Sequence, residues 1–203
     1  MTLIQALNIL TRIEVGVLTT QQAAALLNVS CAHASKILGR LALGNNVVSL
    51  KRALWLVDTK LDGFQVARYI TTPFPSYISL QSALYFHEMI SQIPDTIYLM
   101  TLARSATIAT PVAHYSLHHV NPDFFFGFDI LDSGVALASP EKALIDFLYL
   151  TPSTAKYMKS LPELSFPKKF SVKKAKDIMV RIPSIRTRSL VLSKFNNLMH
   201  KKF

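Results

Sequence analysis

Ser30, His33, Lys36 and Arg40 follow one another at intervals of three, three and four residues. On a helix that spacing puts a hydroxyl, an imidazole, an ammonium and a guanidinium on one side. Such groups suit the major groove of DNA, where Arg or Lys pairs with guanine edges. Ser35 and Gly39 share the outward side, and Thr20 and Gln21 open the helix before it. Lys51-Arg52 adds two cations between two β-prone runs, residues 47–50 and 53–57. Cations at the tip of such a hairpin contact backbone phosphates, which position a protein without reading sequence.

The elements that must hold these groups are legible nearby. Thr19-Thr20-Gln21-Gln22 has the T-x-x-Q form of a capping box and predicts a helix over Thr20–Leu27. Asn28-Val29 forms a short turn, and Ser30 caps a second helix. Ala34, Ile37, Leu38 and Leu41 recur at helical spacing and predict its core side. Residues 2–13 carry Leu3, Ile4, Leu7, Leu10 and Ile13 at the same period, with Thr2 as cap and Gly16 as stop. Helix, helix-turn-helix and basic hairpin, in that order, predict a winged helix-turn-helix over residues 1–58 whose second short helix enters the major groove.

Other residues invite catalytic or metal chemistry. Residues 112–120 read as a strand on which His114 and His118 share a face and His119 turns away. Two histidines without a nearby cysteine make an incomplete metal site, so a structural role is expected and no metal. Ser82, His87 and Asp146 hold the groups of a hydrolase triad, but no nucleophile elbow surrounds Ser82. Glu141 and Lys142 read as helix-start electrostatics and a surface cation. No phosphate-cradling glycine loop and no dinucleotide fingerprint occurs among the six glycines. The expectation is therefore a protein that is not an enzyme, with no catalytic residues and no cofactor.

The chain of 203 residues is half hydrophobic and carries a formal charge of +10. It is long enough to bury a real core, and it contains no apolar run of membrane-spanning length. Residues 1–57 carry a net +4, residues 58–150 hold 4 basic against 9 acidic groups, and residues 151–203 hold 13 basic against 2 acidic groups. The two basic parts point to polyanion contact, and the acidic middle to another task. The single Cys31 and the lack of a basic n-region at residues 1–4 fit a cytoplasmic protein.

Beyond a polar boundary at residues 58–63, residues 64–160 read as an α+β domain. Residues 64–72 have strand character at their end. A helix over residues 80–91 is capped by Ser79, and strands are expected at 96–102, 106–110, 112–120, 124–130 and 135–137. Ser139-Pro140-Glu141 opens a further helix with Ala143, Leu144, Phe147 and Leu148 as its buried stripe, ended by Thr151-Pro152. Residues 161–203 form a basic helical extension, with helices over 171–182 and 184–199. Ile185, Leu190, Leu192, Phe195 and Leu198 line one side of the last helix, among Arg186, Arg188, Lys194, Lys201 and Lys202. Of three roles open to this tail, packing on the C-terminal domain with a basic outer face that adds to DNA affinity is expected, ahead of a surface for DNA phosphates alone and of a membrane-surface helix. The fold class is α+β: an N-terminal winged helix-turn-helix, a mixed α/β C-terminal domain and a helical basic tail.

Several stretches of the middle domain, in order, resemble the AbiEi family of bacterial antitoxins, from type IV abortive-infection toxin–antitoxin systems. They are Tyr77–His87 (YISLQSALYFH), Pro94, Ile97 and Thr101, Asn121-Pro122 with Phe125-Phe126-Gly127, and Ser139–Asp146 (SPEKALID). The resemblance covers roughly the first three quarters of the chain and departs at Glu88, where the family usually has glycine. It implies a winged-helix domain bound to inverted repeats in double-stranded DNA at its own promoter. It also implies a second domain that opposes a co-encoded nucleotidyltransferase toxin. Self-association on the DNA is a further expectation, and the lack of a membrane-length apolar run leaves no membrane role expected. The expected function is thus a sequence-specific DNA-binding autorepressor and antitoxin, with Thr20, Gln21, Ser30, His33, Ser35, Lys36, Arg40, Lys51 and Arg52 as its DNA contacts. The alternatives are a ligand-sensing regulator without a toxin and a DNA-targeted hydrolase or nuclease.

Overall fold

The computed structural model describes residues 1–12, 16–150 and 163–200. They fall into two units, Met1–Tyr69 with Ala109–Ala113, and Ile70–Ile108 with His114–Phe203. The architecture is mixed α+β.

In the first unit α1 (Leu3–Leu10) starts where Thr2 and Gln5 satisfy each other's backbone N–H groups. Ala6 and Leu10, one turn apart, are its buried residues, and Leu7 and Ile9 pack on the same core. Leu3 and Ile4 were expected in that core but are exposed. The helix is shorter than residues 2–13 and ends at its C-cap Thr11, whose N–H and hydroxyl both bond the carbonyl of Leu7. Ile13 lies outside the described residues.

A strand that the sequence reading passed over, β1 (Val17–Thr19), follows at once. Next come α2 (Thr20–Leu27), α3 (Cys31–Leu43), β2 (Val48–Lys51) and β3 (Leu54–Leu56). The strands form one antiparallel sheet in the order β1-β3-β2, so β3 is paired on both sides. The core lies among α1, α2, α3 and this sheet and contains Leu18, Ala23, Leu27, Ala34, Leu38, Leu41 and Val57.

α4 (Gly63–Ile70) corrects the strand expected at the end of residues 64–72. Asp62 and Gln65 exchange side-chain-to-backbone hydrogen bonds of 2.9 and 3.0 Å, a helix start that outweighs the β-branched residues ahead of it.

The second unit contains a six-stranded sheet in the order β6-β7-β5-β4-β9-β8. Its strands are β4 (Ser76–Ile78), β5 (Thr96–Thr101), β6 (Ala106–Ala109), β7 (His114–His119), β8 (Phe128–Ile130) and β9 (Ala136–Ala138). Pairing is mixed: β4 runs antiparallel to β5 but parallel to β9, and β5 runs parallel to β7. The strand expected over 124–130 is halved, because Asn121 accepts from the N–H of Asp123 and starts a 3-10 turn over Pro122–Phe124. α5 (Leu80–Phe86) stops earlier than residue 91, in a turn discussed below.

α6 (Pro140–Leu150) packs against α5, α7 (Val172–Val180) and α8 (Ile185–His200). It is therefore buried nearly all round rather than along the single stripe expected. Its expected stop at Thr151-Pro152 lies outside the described residues. On α8 the inward residues are Val191 and Phe195, while Ile185, Leu190 and Leu192 are exposed, contrary to the expected apolar side. The reason is that α6 and α7 meet only one side of α8, so leucines at the flanks stay in water. Lys201, Lys202 and Phe203 lie outside the described residues.

Candidate nucleic-acid interface

The first unit presents the polar groups singled out above. Thr19 accepts from the N–H of Gln22 at 3.2 Å, and the Gln22 side chain takes the N–H of Thr19 at 2.8 Å. α2 ends at Asn28, whose left-handed backbone (φ 52°) turns the chain. Asparagine tolerates that conformation because its short side chain bonds locally. Ser30 then caps α3, accepting from the N–H of His33 at 3.3 Å. With Ala34, Ile37, Leu38 and Leu41 buried, the 13-residue α3 has a fixed rotation about its axis. Its outer side therefore carries His33, Ser35, Lys36 and Arg40 into solvent, with Ser30 exposed at its start and Gln21 exposed on α2.

The hairpin differs from the sequence reading in one respect. Only Arg52 and Ala53 form its turn; Lys51 is the last residue of β2 and half-buried. Burial pulls the Lys51 ammonium below the usual lysine range. Ser49 faces Trp55 and Lys51 faces Leu54, so Leu50 is an extra residue, and this bulge turns Lys51 relative to a regular ladder. Thr20 is half-buried; its hydroxyl accepts from the Trp55 indole N–H at 2.9 Å.

The residues weighed for catalysis do not come together. Ser82 donates to the carbonyl of Thr96 and accepts from the N–H of Tyr98, tying α5 to β5. His87 donates through Nε2 to the carbonyl of Ala138 at 2.7 Å. His118 sits 3.0 Å from the Ser116 hydroxyl against the Tyr98 ring, and burial lowers its pKa. His119 turns to the carbonyl of Ala103. Among the described residues no three metal-ligating side chains gather.

Asp146 belongs instead to a closed polar cluster. It accepts from Lys142 at 2.6 Å, Ser79 at 2.7 Å and Tyr77 at 3.0 Å. Two expectations are corrected here. Lys142 is no surface cation: it is wholly buried, its ammonium also donating to the carbonyl of Phe124 and lying 3.4 Å over that ring. Ser79 makes no side-chain cap for α5, because its hydroxyl is drawn to Asp146. Gly127 closes the cluster with a left-handed backbone (φ 79°), where a Cβ would press on the Lys142 stem at 3.1 Å. Burial pushes Asp146 up and Lys142 down, each opposed by its partner's charge. Tyr77, Ser79, Lys142 and Asp146 are all buried.

Glu141 is buried rather than exposed at the start of α6. It accepts from the N–H of Ser171 at 2.9 Å and pairs with Lys174 at 3.2 Å, joining α6 to α7. Burial works against its charge, but that N–H and the Lys174 ammonium prevail and hold its pKa below the usual value. A depressed carboxyl stabilises the fold above its unfolded pKa, and the gain is lost as pH falls through the folded one. Glu141→Gln is expected to cost about 2 kcal/mol at pH 7. Urea unfolding at several pH values should show this deficit shrinking below about pH 4; a deficit constant with pH would contradict the charge argument.

Beside it lies a cleft of about 310 Å³, lined by Phe86, His87, Asp129, Glu141, Lys169 and Lys174 among others. Two carboxylates and two ammonium groups line it.

The departure at Glu88 has a structural meaning. Met89 N–H bonds the carbonyl of Leu84 at 2.8 Å and Glu88 N–H that of Tyr85 at 2.9 Å, the hydrogen-bond pair of a Schellman motif. Glu88 is its left-handed residue (φ 57°), the position that favours glycine. Glu88→Gly is expected to raise stability by about 1 kcal/mol; an unchanged or lowered unfolding free energy would count against the strain.

No helix among the described residues is long and apolar enough to cross a membrane. No protein-family model matches the chain, and no curated protein is similar to it in sequence.

Proposed function

We propose that this chain is a sequence-specific, double-stranded DNA-binding autorepressor, its first unit a winged helix-turn-helix, that acts as an antitoxin to a co-encoded nucleotidyltransferase toxin. One observation carries the DNA reading. The outer side of α3 bears His33, Ser35, Lys36 and Arg40, all exposed, while its inner side is fixed in the core. A helix held in this way offers donors at set positions, as base readout requires. Arg52 at the hairpin turn supplies a cation for the backbone. Ser30 and Gln21 stand at the starts of the two helices, where N–H groups and short polar side chains meet phosphates. The antitoxin part rests on the resemblance of the second unit to the AbiEi family. Its task there is to oppose the toxin or to support two copies on an inverted repeat.

The deciding experiment is fluorescence anisotropy with DNA from directly upstream of the gene, against scrambled DNA, at two salt concentrations. Preference for the upstream DNA that persists at the higher salt supports the reading. Equal binding to both with a steep salt dependence would remove it, since that is the behaviour of unspecific charge contact. The antitoxin part is tested by co-expression with the neighbouring nucleotidyltransferase. Unrelieved growth arrest would reduce the proposal to a regulator.

A further inference from the structure

We infer that Thr20 and Trp55 are positioning residues that clamp the hairpin turn to the start of α2, so that the wing is preset before DNA arrives. The inference rests on the DNA-binding reading and concerns how that site is held. Three independent features meet at this point. The Thr20 N–H, one of the donors that a helix start leaves unsatisfied, bonds the carbonyl of Ala53 in the turn at 3.0 Å. The Thr20 hydroxyl accepts from the Trp55 indole at 2.9 Å, across 35 residues of chain. Ala53 is held with φ at 60°, a conformation that a residue with a Cβ keeps only where its surroundings demand it.

The rest of the hairpin leads to this clamp. Strand β3, which carries Trp55, is fixed between β1 and β2, and Thr19 faces Leu54 across the ladder. Lys51 ends β2 directly before the turn residue Arg52. A hairpin with a free tip would have to be ordered on binding; a clamped one holds Arg52 and Lys51 at a set distance from α3 in the free protein. The clamp touches no base in this scheme. It governs affinity for any duplex and leaves the preference between sequences unchanged.

The test uses the full chain. Trp55→Phe keeps the ring and removes the donor, Thr20→Val removes the acceptor, and Thr20→Ser restores it. Trp55→Phe and Thr20→Val should each weaken binding to upstream and scrambled DNA alike by about 5–10-fold, the size of one lost hydrogen bond. The slope of log K against log salt should fall by about 1 to 2, one or two phosphates no longer being met. Thr20→Ser should recover most of the affinity that Thr20→Val loses, and Trp55→Phe should have no further effect in a Lys51→Ala/Arg52→Ala background. Unchanged affinity, or an equal loss in that background, would overturn the clamp, the second outcome revealing mere destabilisation. Amide hydrogen exchange at residues 52–54 gives a readout without DNA: it should quicken in Trp55→Phe, and unchanged protection would also overturn the inference. Should wild type lack selective DNA binding, the proposed function falls, and the exchange result alone decides whether the turn is clamped.

Discussion

Lys142→Ala is expected to lower the unfolding free energy by about 3–5 kcal/mol, the largest effect of any single substitution considered for this chain. The reason is the partner left behind. Asp146 is fully buried, and its charge is held by Lys142, Ser79 and Tyr77. Removing the ammonium leaves two hydroxyl donors to support a carboxylate in an apolar surround of Phe124, Phe126 and Tyr77. The variant carboxyl would take up a proton to escape that cost. A carboxyl raised in the folded state destabilises as pH rises above its unfolded pKa, so the deficit should shrink on acidification. Asp146→Asn in the Lys142→Met background keeps an acceptor for the hydroxyls and removes the stranded charge, and should recover much of the loss. Thermal or urea unfolding reads all three. A Lys142→Ala protein within 1 kcal/mol of wild type would sink the account of the cluster.

Lys36→Ala/Arg40→Ala should abolish preference for the upstream DNA while leaving the fold intact. Two lost base contacts, each worth about 1–3 kcal/mol of discrimination, amount to about 30-fold or more. Both side chains are exposed on α3, so stability should change by less than about 0.5 kcal/mol. Anisotropy and urea unfolding on the same preparation separate the two effects. Retained preference would show that α3 is not the reading element. Binding that persists without preference would implicate the exposed Lys168, Lys169, Lys173, Lys174 and Lys176, which contact any polyanion.

The first unit and the second were not equally legible. Around α2 and α3 the caps, the turn and the apolar period lie within a few residues of what they control, and Thr19, Ser30, Ala34 and Leu38 take the places their spacing suggests. The exposed side of α3 follows from the buried one, so the candidate contacts His33, Ser35, Lys36 and Arg40 could be placed on a surface in advance. β1 was missed because three residues, Val17–Thr19, show no period; they become a strand only by pairing with β3, some 37 residues on. The clamp was hidden for the same reason: nothing in the neighbourhood of Thr20 announces Trp55.

In the second unit, local chemistry pointed the wrong way wherever a distant partner was stronger. Ser79 has the sequence of a cap, yet its hydroxyl serves Asp146, 67 residues away. Lys142 and Glu141 look like surface charges at a helix start, yet Phe124, Phe126, Gly127 and Tyr77 enclose the first and α7 holds the second. What the chain determines by itself is therefore local: the starts and core sides of α2 and α3, the hairpin and the placing of charge along the sequence. Tertiary structure decided which polar groups are buried, which cations are exposed and what the hairpin turn is bonded to. Those outcomes depend on desolvation and on hydrogen bonds between segments far apart in sequence, where an unmet buried charge costs more than any local preference returns.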